Sequence, residues 1–319
     1  GGARKAVRHV KSLAEMIDAP VVQTVNARGV LHKHPLDVPA SPSLVAVRRL
    51  LAQSDCVVAI GTEFGETDFD MYADGKFPLL KSVIRIDIDS AQIQRRPHAV
   101  GIAGDAKSVL EVLLPKLNIR NASGGAAAAG IAREAAKEEI GPRLRSHLEV
   151  VKIIRDTLPN SVIVGDSAQP IYAANLYYDH DRPSGWFNSA TGFGALGYAA
   201  PASIGAQLGS QGSTVVCLTG DGGLQFSLAE LGSAKDINAP VIFVVWNNNG
   251  YQEIETSMVD AGIKPVGVTP QAPDFCAIAK AYGIGSSKPK SLGAFAKALK
   301  MAKASNAPYL IEFDEALAG

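Results

Sequence analysis

Short apolar runs of strand length alternate with helix-spaced apolar patterns along nearly the whole chain, and this alternation restricts the fold more than any other feature. Cys56 to Ile60, Val83 to Ile88, Ser161 to Gly165, Thr214 to Thr219 and Val241 to Trp246 each read as a buried strand. Between them lie amphipathic stretches. Val7, Val10, Leu13, Ala14 and Ile17 share one helical face, as do Val109, Leu110, Val112, Leu113 and Leu117. Continuous apolar strands joined by helices belong to parallel sheets covered on both faces, so the predicted class is α/β, with open and mainly parallel sheets.

At roughly 150 residues per domain, the 319 residues hold two domains. The helical period is lost where Asn118, Asn121, Ser123, Gly124 and Gly125 precede an alanine run and Gly130. The predicted division is a Rossmann-like domain over 1–118, a linker over 119–130 whose alanines are partly helical, and a second domain over 131–319.

Composition excludes several classes of function. The 31 Lys and Arg balance 31 Asp and Glu, which leaves no long-range field to draw in nucleic acid or anionic lipid. No run reaches the ~18 apolar residues of a membrane span. Cys56 and Cys217 read as buried in core strands and Cys276 as helical, an unpaired set expected of reduced thiols in a cytoplasmic enzyme.

The segment that carries chemistry is Thr219-Gly220-Asp221-Gly222-Gly223, which follows one apolar strand directly and opens a helix. Ligands of open parallel sheets bind off the carboxyl ends of the strands, and glycines there let backbone N–H groups approach phosphate oxygens. Asp221 adds a hard anionic oxygen of the kind Mg²⁺ selects. Taken singly, the tetrapeptide also fits an ordinary strand-to-helix turn. It gains weight from Asn247-Asn248-Asn249-Gly250, because residues 223–246 between the two motifs hold one helix and one strand. That is the content of one crossover, and it brings Asn248 to the sheet edge beside Asp221.

Gly220-Asp221-Gly222 followed at this distance by Asn247-Asn248 resembles the diphosphate and magnesium motif of thiamine diphosphate enzymes, in the acetolactate synthase and pyruvate decarboxylase superfamily. Ser82 to Asp89 with Gly104-Asp105-Ala106 is similar to that family's central domain, and Gly192 to Tyr198 to its cofactor-shaping loop. The resemblance implies thiamine diphosphate and Mg²⁺ as cofactors. It implies that Asp221 and Asn248 ligate the metal through side chains and Gly250 through its carbonyl, while Gly222 and Gly223 offer N–H groups to the diphosphate. By the same likeness the Gly194 carbonyl meets the aminopyrimidine and Leu196 is the wedge that holds the cofactor folded. Gln169, in Asp166-Ser167-Ala168-Gln169-Pro170, stands where synthases often have Gln-His and retains a hydrogen-bonding group for a phosphate.

The activity implied is decarboxylation of a small 2-oxo acid by a homodimer or homotetramer. The family's pyrimidine-activating glutamate belongs to an N-terminal domain. By the resemblance this chain starts at the glycine turn after the first strand of the central domain, so that strand and the N-terminal domain are expected to be missing and the chain alone is expected not to complete the cycle. Two alternatives stand beside that reading: an acetolactate synthase large subunit, and a non-catalytic cofactor-binding or assembly module. Synthases tend to place a Trp after the metal loop, where this chain has Tyr251-Gln252-Glu253-Ile254-Glu255 and Ile263-Lys264-Pro265-Val266-Gly267-Val268. These stretches look more like synthase-related decarboxylases, including those acting on the guanidino 2-oxo acid made from arginine. Gly61 to Asp68 replaces the Arg-Phe-Asp-Asp-Arg run of flavin-holding members, which argues against FAD.

Other polar residues read more plainly. Glu253 and Glu255 fit a helix start better than a binding site for a cationic substrate tail. His32 and His34 fit a loop better than a metal pair. Glu63, Glu66, Asp68 and Asp70 fit a solvated loop.

Overall fold

The structure is a computed structural model that describes residues 1–69, 77–119 and 124–318. These fall into two compact units, Gly1–Gly141 with Asn175–Ser184 and Pro142–Ala174 with Gly185–Gly319. Asp70, Asn121 and Ser123 lie outside the described residues.

In the first unit, β1 (Val21–Val22) pairs with β2 (Asp37–Val38), and β3 (Val57–Ile60), β4 (Val83–Asp87) and β5 (Val100–Ala103) form a three-stranded sheet; every pairing is parallel. The helix Val7–Ile17 buries Val10, Leu13 and Ala14, the face read from the sequence, in a cluster with Ile86 and Leu110. The second unit carries β6 (Val162–Gly165), β7 (Trp186–Asn188), β8 (Val215–Gly220), β9 (Val241–Asn247), β10 (Gly285–Ser287) and β11 (Tyr309–Asp314) in one parallel sheet of order β10-β11-β9-β8-β6-β7. All seven residues of β9 are buried, as expected where both faces of a strand are covered. The α/β class with parallel sheets is therefore observed.

Four expectations need correction. The expected linker over 119–130 is a helix from Gly125, continuing to Glu139 within the first unit. Alanine is the best helix former, and Ala129, Ala132 and Ala136 line one buried face whose small side chains produce little hydrophobic contrast. The helix is tied at both ends. The Gly125 N–H donates to the Asp18 carboxylate at 3.0 Å, and the Glu139 carboxylate accepts from the N–H groups of Val45 and Ala46 at 2.7 and 3.0 Å. Consequently 131–141 belongs with the first unit, as does Asn175–Ser184, and the second does not run unbroken from 131.

Cys56 is exposed, just before β3, whereas Cys217 is buried as expected; all three cysteines are free. Asp68 is no solvated loop residue: its carboxylate accepts the Val25 N–H at 3.1 Å, and burial raises its pKa. His32 and His34 face separate carboxylates, Asp179 at 2.9 Å and Glu15 at 3.1 Å, and form no metal pair.

The first unit also contains a pH-sensitive group. Burial, aided by Asp179, pushes the Asp37 carboxyl up to about 8, against the opposing effects of the Gln23 hydrogen bond, Arg28 and Arg133. The native state therefore binds a proton here that the unfolded chain, titrating near about 3.9, does not. The stabilising contribution is complete below the unfolded pKa and is lost as pH rises through the folded one. Calorimetric unfolding should show the first unit losing up to about 1.4 kcal/mol per pH unit as pH rises from the unfolded pKa toward the folded one at about 8, and Asp37→Asn should flatten the slope. An unchanged slope would contradict the assignment.

Candidate cofactor and metal site

Strands β8 and β9 lie side by side with Gly220 in register with Trp246. Asp221 and Asn248 therefore emerge together at the carboxyl edge of the sheet. Asp221 is buried, and burial raises its pKa, while the N–H groups of Gly222, Asn248 and Gly250 facing the carboxylate pull the other way. Its Oδ2 is buried without a hydrogen-bond partner. Leaving such an oxygen unmet is costly, and a cation is the group that would meet it.

The three consecutive asparagines have different tasks. Asn247 turns away from the site: its Nδ2 donates to Glu312 at 2.9 Å and its Oδ1 accepts from the Asn249 N–H at 3.0 Å. Asn249 takes a left-handed backbone, φ 57°, which turns the chain. Only Asn248 turns its amide oxygen to the Gly250 N–H, at 3.3 Å, beside Asp221. The loop is pinned by a hydrogen bond from the Tyr251 N–H to the Val268 carbonyl at 2.8 Å.

The glycines are required by close approach. A Cβ on Gly222 would lie 2.4 Å from the Tyr251 ring, and one on Gly250 2.8 Å from the Val268 oxygen. On Gly223 it would press on the Asp166 carboxyl at 3.3 Å.

Asp166, at the end of β6, was given no role by sequence reasoning, yet it organises the neighbouring loop. Its Oδ1 accepts the Ser167 N–H at 2.8 Å and its Oδ2 the Ala199 N–H at 3.2 Å; Gly197 and Thr219 donate to it as well. Burial raises its pKa and these donors lower it. The carboxylate thus caps the helix Ala199–Gly209 and draws residues 192–198 toward the Asp221 turn. Asking what polar residue follows each apolar strand, as was done for β8, would have found it.

Within that loop Gly194 (φ 67°) and Gly197 (φ 83°) adopt backbone that glycine favours, and a Cβ on Gly197 would meet Phe226 at 2.9 Å. The Gly194 carbonyl accepts a hydrogen bond from Ser167 Oγ at 3.0 Å, so one of its lone pairs is already engaged. Leu196 is half-buried, between a fully exposed Phe193 and the buried Gly197. Gln169 is buried, its oxygen occupied by two donors and its Nε2 without a partner. Glu253 and Glu255 sit in the first turn of the helix Gln252–Asp260.

An all-oxygen donor set with an orphaned carboxylate oxygen fits a hard divalent cation, and backbone held to glycine beside an orphaned amide N–H fits an anion next to it. This chain belongs to the thiamine pyrophosphate enzymes: the family's C-terminal TPP binding domain matches residues 166–313 and its central domain residues 1–113. Among curated proteins, it is 33% identical to the probable 2-ketoarginine decarboxylase AruI of Pseudomonas aeruginosa, over 100% of this chain and 57% of that protein. It is 28% identical to the acetolactate synthase isozyme 3 large subunit of Escherichia coli, over 89% of this chain and 52% of that protein, and 31% identical to the acetolactate synthase of Mycobacterium bovis, over 76% and 41%. The chain spans about half the length of the curated relatives it matches. No helix among the described residues is long and apolar enough to cross a membrane.

Proposed function

We propose that this chain supplies the central and cofactor-binding parts of a thiamine diphosphate- and Mg²⁺-dependent 2-oxo acid decarboxylase that works as a homodimer or homotetramer. The observation that carries the reading is the buried Asp221 carboxylate, with one oxygen unmet, beside the Asn248 amide oxygen. Asp221, Asn248 and the Gly250 carbonyl would hold the metal, leaving other positions of its shell of about six oxygens to diphosphate and water. Gly222 and Gly223, at the start of a short helix, have N–H groups without intrahelical acceptors; that of Gly222 faces the Asp221 carboxylate, and both would be offered to the diphosphate. When bound, thiamine diphosphate supplies the carbanion and electron-sink chemistry that loss of CO₂ from a 2-oxo acid requires.

The protein's contribution is placement. The Asp166 carboxylate holds the 192–198 loop, and Leu196 presents a half-buried hydrophobe where the family wedges the cofactor. Ser167 positions the Gly194 carbonyl, whose remaining lone pair is available to an amino group. Three free cysteines fit a reducing, cytoplasmic setting.

A guanidino 2-oxo acid is the favoured substrate class, by likeness to the 2-ketoarginine decarboxylase across the whole chain. Both tryptophans, Trp186 and Trp246, are only 1% exposed, so neither can act as the substrate-selecting Trp of a synthase. The test is turnover by the complete protein in which this chain occurs, offered pyruvate, benzoylformate and a guanidino 2-oxo acid. Aldehyde and CO₂ from the last would support the proposal. Acetolactate from pyruvate would favour the synthase reading, and no turnover with cofactor binding retained would favour a non-catalytic module.

A further inference from the structure

Gln169 raises a question that the cofactor reading leaves open, because its amide oxygen points into the protein. That oxygen accepts from Trp246 Nε1 at 3.0 Å and from Asn248 Nδ2 at 2.9 Å. An indole N–H can only donate, so the Gln169 atom facing Trp246 must be the oxygen. An oxygen can only accept, so the Asn248 atom facing it must be the nitrogen. The Asn248 oxygen is then forced to the opposite side of its amide plane, where the Gly250 N–H donates to it at 3.3 Å. Three hydrogen bonds agree on one orientation, and two donor-only groups set it from opposite edges of the Asn248 amide: the Trp246 indole acting through the Gln169 oxygen, and the Gly250 N–H at the longer distance of 3.3 Å.

The indole is itself immobilised. It is buried, stacked at 6.0 Å on Phe313 and met edge-on by His147 at 5.2 Å. We infer that Gln169, held by Trp246, is a positioning residue that locks the Asn248 amide with its oxygen toward the metal position; this rests on the cofactor reading above. Without the Gln169 oxygen only the 3.3 Å hydrogen bond from the Gly250 N–H would hold the amide, and a flipped Asn248 would turn toward a cation an NH₂ group that repels it. The lock removes that alternative before the metal arrives. Gln169 does this through its oxygen alone and keeps its orphaned Nε2 for another acceptor.

The test is a cycle of variants on the 319-residue chain, using Mn²⁺ in place of Mg²⁺ with thiamine diphosphate, and reading metal affinity by electron paramagnetic resonance. Gln169→Met keeps the side chain's length and removes the amide oxygen. It should weaken Mn²⁺ binding by about 10- to 100-fold, the usual effect of removing a partner that orients a ligand. Asn248→Asp presents an oxygen whichever way it turns, so adding Gln169→Met to that variant should cost less than about 3-fold, below the range expected of an orienting partner. Equal losses in the two backgrounds would overturn the inference, since a merely structural role does not depend on the symmetry of residue 248.

Asp221→Ala separates this inference from the reading beneath it. If that variant still binds Mn²⁺ and thiamine diphosphate like the parent, the site itself is misplaced. If it fails to bind while the cycle shows no coupling, only the positioning role is wrong. Should Gln169→Met not fold, a crystal structure of the parent with Mn²⁺ and thiamine diphosphate decides. Metal bound to the Asn248 oxygen, with the Gln169 oxygen on the indole nitrogen, supports the inference; metal held without the Asn248 side chain overturns it.

Discussion

Asp221→Ala should abolish metal-dependent binding of thiamine diphosphate, with a fall in affinity of more than about 100-fold, because a direct ligand matters at least as much as the partners that orient one. The reason is local. Asp221 supplies the anionic oxygen at this strand edge, and its Oδ2 has no hydrogen bond to give up when a cation arrives. The adjoining N–H groups of Gly222, Asn248 and Gly250 face the carboxylate and cannot bind a cation in its place. A thermal-shift titration gives the simplest readout. At a cofactor concentration about 100 times its dissociation constant the parent should gain about 2.7 kcal/mol of stability, and the variant less than about 0.4 kcal/mol. Parent-like stabilisation of the variant would show that the diphosphate and its metal bind elsewhere.

Asp166→Ala should have the largest effect on stability, about 3–5 kcal/mol in the second unit, on the scale of breaking a buried charged network by removing one partner. The N–H groups of Ser167, Gly197 and Ala199 lose their acceptor together, and the Thr219 hydroxyl loses one of its two. Each orphaned donor costs about 1–3 kcal/mol, partly relieved by water entering the space left. Because two of those donors anchor the 192–198 loop and the helix after it, the damage should be directional. Hydrogen exchange at Gly197 and Ala199 should accelerate far more than at the β9 amides. A small stability change, or exchange that rises evenly through the sheet, would deny Asp166 this role. Asp166→Asn should lie between parent and alanine, since its amide keeps one acceptor oxygen and turns an NH₂ group toward the remaining donors.

Most of the fold was legible because it rests on long apolar strands with both faces covered. β8 and β9 could be read to within one residue at each end, and the buried face of the helix Val7–Ile17 was legible too. Short edge strands such as β7 and β10 left no comparable pattern, since a strand of three residues has too few positions to reveal a period. The helix Gly125–Glu139 was read only as a partly helical alanine run inside a linker, for a different reason: burying alanine changes hydrophobicity little from one residue to the next. Cys56 was misplaced because an apolar run does not show where its buried part begins.

The site divides in the same way. That Asp221 and Asn248 come together was legible because each motif directly follows an apolar strand and the two strands are neighbours in the sheet. Which way each side chain turns was not. Three asparagines in a row are alike as letters, and only the packed sheet sends Asn247 to Glu312 and Asn248 toward Asp221. Gln169 was read as able to hydrogen-bond a phosphate, and its Nε2 has no partner, but nothing in the sequence showed that Trp246, distant in the chain, would take its oxygen. Asp166 gained a role only when Gly197 and Ala199 folded back onto it.

The sequence by itself determined the α/β class, the two strand ends that bear the motifs, and the residue types able to hold a cation and a diphosphate, because these follow from local periodicity and from composition at turns. Tertiary structure alone decided the extent of each unit, the anchoring of the 192–198 loop and the orientation of the Asn248 amide. Those depend on hydrogen bonds between residues far apart in the chain, whose donors and acceptors are matched only when the strands come together.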